Sequence, residues 1–296
     1  MESHISLSGA WEAPEKAGAL LRFLYHTAPG RLLLRGLSGR GLSRLVGRWM
    51  DSGLSRPLIG FFLKRYEIRL SDYRKADYAS FNEFFCREIR PELRPMPKDP
   101  ALFPAPCDGR LSAWRIGEGT VLNVKQSRFT LDELLDGDPI ADRYRDGVCL
   151  VFRLCVDNYH RYCFPDDGVK GEERFIPGQL HTVRPIALGA LPVFIRNCRE
   201  YTVLETAHFG AVTQIEVGAL LVGKIANRPG LREFVRGEEK GRFLFGGSTV
   251  IVLLEKGRVA LPEELFAQSA QGLELSVKMG QPLGRALCGP AIIQQQ

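Results

Sequence analysis

Two textures of apolar and polar positions divide the chain. Between residues 17 and 75 the apolar positions recur at helical spacing, broken by glycines. Leu42, Leu45, Val46 and Trp49 stand at i, i+3, i+4 and i+7, one face of a helix, and Arg40, Arg44 and Arg48 fall on the opposite face. A second apolar group, Leu58, Ile59, Phe61, Phe62 and Leu63, runs into Lys64, Arg65 and Tyr66. Residues 81–100 open as a short helix, and the prolines after Pro91 draw the chain out into a linker. From about residue 103 the pattern is that of strands. Residues 148–154 are a continuous apolar run apart from Arg153, residues 211–217 alternate, and 220–225 and 249–255 are further strands among recurring glycines. Thr130 followed three residues later by Glu133 has capping-box spacing and predicts a helix over 131–135. The expected fold class is α+β: a mainly β core of antiparallel sheets, sandwich or barrel-sandwich in type, behind an N-terminal helical region. Residues 1–100 are expected as the helical part with its linker and 101–296 as the β part.

Composition adds a location for charge. The chain of 296 residues has the apolar and charged content of an ordinary globular protein, enough for one large domain or two. The net charge is +6, and residues 17–50 hold six arginines (22, 31, 35, 40, 44 and 48) without one acid. Such a segment calls for an anionic partner, membrane phospholipid or nucleic acid. No stretch of 18 apolar residues predicts a membrane span, and the basic amphipathic pattern suits a helix lying in a membrane surface. The competing reading is an amphipathic helix packed on the core with its arginines in water. Seven cysteines without a C-x-x-C or a signal peptide read as reduced thiols of a cytosolic compartment. Five histidines without ligand spacing argue against a metal enzyme.

Candidate chemistry centres on FLFGGSTVIVLLEKG, residues 243–257. Gly246 and Gly247 precede Ser248 at the mouth of an apolar strand. A serine hydroxyl can attack the carbonyl that precedes it and convert the amide to an ester, provided the backbone is free to bend, and glycine supplies that freedom. Elimination from the ester leaves dehydroalanine, which hydrolyses to ammonia and a pyruvoyl group, a ketone that serves amine substrates as an electron sink. The simpler reading of Gly-Gly-Ser-Thr is a turn. The stretch DNYHRYCFPDDG (157–168) sets His160, Cys163 and several carboxylates after a strand, and PAPCDGRL (104–111) holds Asp108 in a turn. An Asp orienting a His that activates a Ser is an established catalytic arrangement.

These segments in this order resemble the phosphatidylserine decarboxylase family of pyruvoyl-dependent enzymes. FNEFFCREIRPELRP (81–95), PCDGRL, NYHRYCFP, PGQLHTVRP (177–185), ETAHFGAVTQIEVGALLVGKI (205–225) and KGRFLFGGSTVIVLLEKG (240–257) all carry the likeness, which spans most of the chain. The resemblance implies cleavage between Gly247 and Ser248 into a β chain (1–247) and an α chain (248–296), with Ser248 becoming the pyruvoyl cofactor and no metal required. It implies that Asp108 is the relay aspartate, that the two chains stay together as a heterodimer or higher oligomer, and that phosphatidylserine is turned into phosphatidylethanolamine and CO2. The implied partners are the lipid substrate and an anionic membrane surface, not nucleic acid, with the protein peripheral to the cytoplasmic face of the cell membrane.

Two departures stand against the family pattern. Gly246 replaces a leucine before the Gly-Ser pair, a change that keeps Gly247 and Ser248. The H-x-x-H signature reads His160-Arg161-Tyr162-Cys163, so the histidine assigned as relay base falls on Cys163, and the preceding aspartate is Asn158. Either His160 takes the base role, or Cys163 does so as a thiolate, or self-cleavage is slow or lost; His160 is the preferred reading. Two other functions fit parts of the chain. One is a pyruvoyl decarboxylase of a soluble amine, which would not need the basic helices. The other is a non-catalytic lipoyl-like module, which would carry its lysine at a hairpin tip, whereas Lys224 falls inside an expected strand.

Overall fold

A computed structural model describes residues 5, 7–15, 17–117, 121–124, 127–188, 190–219, 225–228, 230, 232–245 and 248–287. Gly246, Gly247, Cys288 and most of the expected strand over 220–225, Lys224 included, lie outside the described residues. The chain opens with strand β1 (Trp11–Glu12) and helices α1 (Ala19–His26), α2 (Ala28–Leu37), α3 (Arg40–Asp51), α4 (Pro57–Tyr66) and α5 (Phe81–Phe85). Strands β2 (Leu102–Pro104), β3 (Gly109–Arg115), β4 (Val121–Val124) and β5 (Ser127–Thr130) lead to α6 (Leu131–Leu134). Then come β6 (Val148–Leu154), β7 (Arg161–Cys163), β8 (Gly168–Ile176), α7 (Pro185–Leu188) and α8 (Val193–Arg196). After β9 (Arg199–Thr206) and β10 (Gly210–Val217) follow β11 (Ile225–Asn227), β12 (Arg232–Phe234), β13 (Glu239–Phe243) and β14 (Ser248–Leu254). The chain closes with β15 (Val259–Ala260), α9 (Glu263–Ala270), β16 (Glu274–Val277) and β17 (Pro282–Ala286). This is the α+β architecture expected, with N-terminal helices ahead of antiparallel sheets.

Among the described residues one antiparallel sheet of nine strands has the order β1-β16-β3-β6-β14-β10-β9-β8-β12. The strand that Ser248 opens is its middle member. β14 pairs with β6 from Ser248↔Leu154 to Leu254↔Val148 and with β10 from Thr249↔Val217 to Leu254↔Val212. All seven of its residues are buried. Val250 to Leu254 are aliphatic throughout because both faces of this strand are covered, and a strand covered on both sides has no polar half to its pattern.

The alternation of β10 means something different from what it predicts. All of its residues are buried, so Thr213 and Glu216 meet partners inside rather than water. Thr213 Oγ1 lies 2.5 Å from the Tyr144 hydroxyl, and Glu216 meets Lys240 at 2.8 Å. The capping box at α6 is present as expected: Thr130 Oγ1 accepts from the Glu133 N–H and the Glu133 carboxylate accepts from the Thr130 N–H.

The helical region is tied to the sheets at several points. β1 pairs with β16, and Leu24, Tyr25 and Leu34 join the main core. The proline-rich stretch is fastened too, with Asp99 paired to Arg285 and its carbonyls accepting from Arg236. A second cluster of Met50, Tyr78, Phe81, Phe84 and Phe85 joins α3, α4 and α5. On α3 the packed stripe is Ser43, Val46 and Met50, while Leu45 and Trp49 are exposed. The apolar face expected from spacing is therefore turned partly outward, and the reading of this helix as simply packed on the core fails for those two residues.

Candidate active site

The site begins at the first residue of β14. Side chains alternate along a strand, so Ser248 shares a face with Val250, whose register partner on β10 is Glu216. Above that face lies a sheet of β11, β13 and β7. Lys240 of β13 reaches down to both carboxylate oxygens of Glu216 at 2.8 and 2.9 Å. Asn227 of β11 donates to Glu216 and Glu200 and accepts from the Tyr162 hydroxyl. Glu216 and Lys240 are both fully buried, and a buried pair holds only when its remaining lone pairs and protons are satisfied, as Asn227 does for the carboxylate. The Ser248 hydroxyl is buried as well, and among the described residues its Oγ has no hydrogen-bond partner. An unpartnered buried hydroxyl costs free energy and calls for a reason; Thr249 Oγ1 and Thr202 Oγ1 stand in the same condition.

The residues leading into Gly246 are held from outside the sheets by the segment 81–86. Ser80 caps α5 by accepting from the Glu83 N–H, and Ser55 accepts from the Phe81 N–H. So anchored, α5 lays Asn82 against the backbone of Phe245, whose N–H donates to Asn82 Oδ1 at 3.0 Å. Phe81 and Phe85 pack edge-on to the Phe245 ring at centroid distances of 5.1 and 5.5 Å. The Cys86 thiol donates to the Phe243 carbonyl at 3.4 Å. Asn82 and Phe85 offer no acid, base or nucleophile, so their only sign in sequence is the segment FNEFFCREIRP itself.

His160 stands at the entry to β7. It is fully buried, its ring centroid lies 4.0 Å from that of Phe85, and its carbonyl accepts from the Phe243 N–H. Its Nδ1 lies 2.9 Å from the Asn158 carbonyl oxygen. A carbonyl oxygen only accepts, so Nδ1 carries the hydrogen, and in the neutral ring Nε2 then holds the lone pair.

Cys163 ends the same strand in another environment. Burial pushes its thiol up to about 12, so at pH 7 only on the order of one in 10⁵ would be ionised. The charge of Asp108 acts on this thiol in the raising direction and that of Arg236 opposes it. Asp108 gives both oxygens to Arg94, at 2.7 Å from Nε and 2.5 Å from Nη2, and also accepts from the Met279 N–H. A cleft of about 490 Å³ opens here, lined by Arg94, Arg161, Cys163, Arg236, Glu239 and Met279 among others. The structure thus groups Asp108 with Arg94 and the Cys163 side, and His160 with Asn158, Phe85 and the approach to Ser248. Among the described residues no group of His, Cys, Asp and Glu is placed to hold a metal ion.

A buried serine thus opens the central strand, and a buried histidine stands beside the segment that leads toward it. Comparison with known proteins shows the family. The family model for phosphatidylserine decarboxylase matches residues 81–285. Phosphatidylserine decarboxylase proenzyme 2 of Clostridium acetobutylicum is 42% identical over 265 residues, covering 89% of this chain and 91% of that protein. The proenzymes of Ruminiclostridium cellulolyticum and Chlamydia muridarum are each 38% identical, over 91% and 90% of this chain and 92% and 90% of their own. The chain belongs to the phosphatidylserine decarboxylase family.

Proposed function

We propose that the chain is a proenzyme that cuts itself between Gly247 and Ser248 and then decarboxylates phosphatidylserine to phosphatidylethanolamine and CO2. The observation that carries this reading is the buried Ser248 hydroxyl at the first position of the central strand, without a hydrogen-bond partner among the described residues. Such a hydroxyl fits conversion to a pyruvoyl group at residue 248, which would supply the electron sink for loss of CO2.

The residues divide the work as follows. α5 fixes Phe243 and Phe245, so the chain reaches the two glycines from a defined direction. β6 and β10 fix Ser248 and Thr249 from the other side. Between the two anchors the glycines supply the bend. His160 Nε2 takes the Ser248 Oγ proton as Oγ attacks the Gly247 carbonyl carbon; the C–N bond breaks, that proton goes to the leaving nitrogen, and an ester remains. In turnover the same imidazole is an acid able to return a proton to the carbon that has lost CO2. Cys163, protonated across the neutral range, packs and takes no proton. Asp108, engaged by Arg94, bears on the cleft rather than on the His160 Nδ1 hydrogen bond.

The two products remain one molecule, because β14 would stay hydrogen-bonded to β6 and β10 after the cut. The partner surface is an anionic bilayer. No helix among the described residues is long and apolar enough to cross a membrane. The stretch 19–66 instead leaves Leu20, Leu32, Leu45, Leu54 and Phe61 each more than half exposed, with Arg22, Arg31, Arg35, Arg48, Lys64 and Arg65 exposed around them. That combination suits contact with lipid from one side of the membrane, and a soluble amine substrate gives no use for it. Intact mass under denaturing conditions tests the central claim: chains of residues 1–247 and 248–296, the shorter with a blocked N-terminus, are expected. A single full-length mass after prolonged incubation would overturn it.

A further inference from the structure

Arg87 is 2% exposed, and no carboxylate bonds it among the described residues. Its guanidinium lies over the Tyr73 ring at 4.7 Å and the Phe84 ring at 5.0 Å. Its hydrogen bonds go to backbone carbonyls: Nη1 to Phe84 at 3.5 Å, and Nη2 to Asp157 at 2.9 Å and Asn158 at 3.3 Å. A buried cation without a counter-ion is costly, so its placement calls for a reason. The Asn158 carbonyl supplies one, since it is the oxygen that accepts from His160 Nδ1. The rest of Asn158 is turned away and locked: its Oδ1 accepts from the Cys155 N–H at 2.8 Å, and its N–H donates to the Cys155 carbonyl at 2.9 Å. One carbonyl is therefore aimed from three directions at one imidazole nitrogen.

We propose that Arg87 is a positioning residue for His160, acting through the Asn158 carbonyl where other serine–histidine sites use a buried carboxylate. The arrangement holds Nδ1 protonated and leaves Nε2 with the lone pair, which is what the carboxylate of a Ser-His-Asp triad secures. A guanidinium suits the task, because Nη2 alone reaches the two successive carbonyls of Asp157 and Asn158 while Nη1 is held at Phe84; a lysine ammonium has no second nitrogen to fix its direction. The proposal rests on the reading of His160 as the base of self-cleavage, and its test separates the two.

The probe is the imidazole 15N spectrum of the full chain, labelled at histidine and carrying Ser248→Ala so that it stays uncut. With Arg87 present, His160 is expected in the Nδ1–H tautomer. Adding Arg87→Gln is expected to give a mixture of tautomers. With Ser248 restored, Arg87→Gln should slow the chain break at least about tenfold, the equivalent of ~1.4 kcal/mol. Arg87→Lys should recover part of both readouts, and it decides the matter if Arg87→Gln does not fold. A single Nδ1–H tautomer without Arg87, or wild-type cleavage by a folded Arg87→Gln chain, overturns the proposal. Normal cleavage by His160→Ala with a tautomer still sensitive to Arg87 would instead remove the base assignment and leave the Arg87–His160 link standing.

Discussion

The sheet around Ser248 and the helices ahead of it treat apolar side chains in opposite ways. β14 buries every residue between two hydrogen-bonded neighbours, so its hydrophobic free energy is fully realised on folding. The stretch 19–66 leaves large apolar groups in water beside exposed arginines, so part of its hydrophobic free energy is realised only against something else. A buried Leu or Phe side chain is worth about 1.5–3 kcal/mol, and several such groups together are enough to hold a protein on a bilayer. Under the proposed function, the first region would hold a cut chain together and the second would meet the lipid surface.

The sharpest way to break that contrast is Ser248→Ala, which removes the reacting oxygen and nothing else of size. A single uncut chain with no CO2 release is expected; a cut chain of the right masses would move the reaction elsewhere. Next in size is Lys240→Met, which leaves the Glu216 carboxylate buried without its cation. Stripping one partner from a buried pair costs about 3–5 kcal/mol, so the melting temperature should fall steeply. Lys240→Met with Glu216→Leu should recover most of that loss, and equal losses in the single and double variants would show that the pair is not coupled.

A smaller effect, confined to the other region, is expected from Leu45→Ser with Trp49→Ser. Flotation with anionic vesicles should weaken by roughly tenfold or more, while stability stays within about 0.5 kcal/mol because neither residue is in the core. High salt should weaken the parent's binding further. Unchanged flotation would separate the exposed apolar groups from lipid contact.

The smallest effect belongs to Cys163. Its thiol is pushed to about 12 when folded against an unperturbed value of about 8.5. Between those values the unfolded chain has released a proton that the folded chain keeps. The contribution to stability is whole below the unfolded value and is lost as pH rises toward the folded one, by at most ~1.4 kcal/mol per pH unit. Cys163→Ser should therefore flatten part of the alkaline decline seen in urea titrations while cleaving at the normal rate. Failure of that variant to cleave would give the thiol the relay role.

Several of these features are legible without a structure. The apolar run after Ser248 predicts a strand because a β-branched, aliphatic stretch with no polar half suits a place with neighbours on both faces. The Thr130–Glu133 capping box follows from spacing alone, since cap and backbone are three residues apart. The ordered motifs carry the family, and with it Ser248, His160, Asp108 and Cys163 as the residues to examine. Periodicity also places a helix over 40–51, but it misleads about which stripe packs: Val46 and Met50 join the cluster with α5 and Ser43 is buried, while Leu45 and Trp49 are exposed.

What only the tertiary structure decides is who touches whom across the chain. Asn82 meets Phe245 over 163 residues, and Arg87 meets the Asn158 carbonyl over 71. Asp108 turns to Arg94 rather than to a following histidine. Such contacts leave no period and no local propensity, because they depend on two segments being brought together by sheet order. The strand at residue 248 was determined by the residues that compose it; the environment of its first hydroxyl was determined by helices, loops and strands whose sequences say nothing of one another.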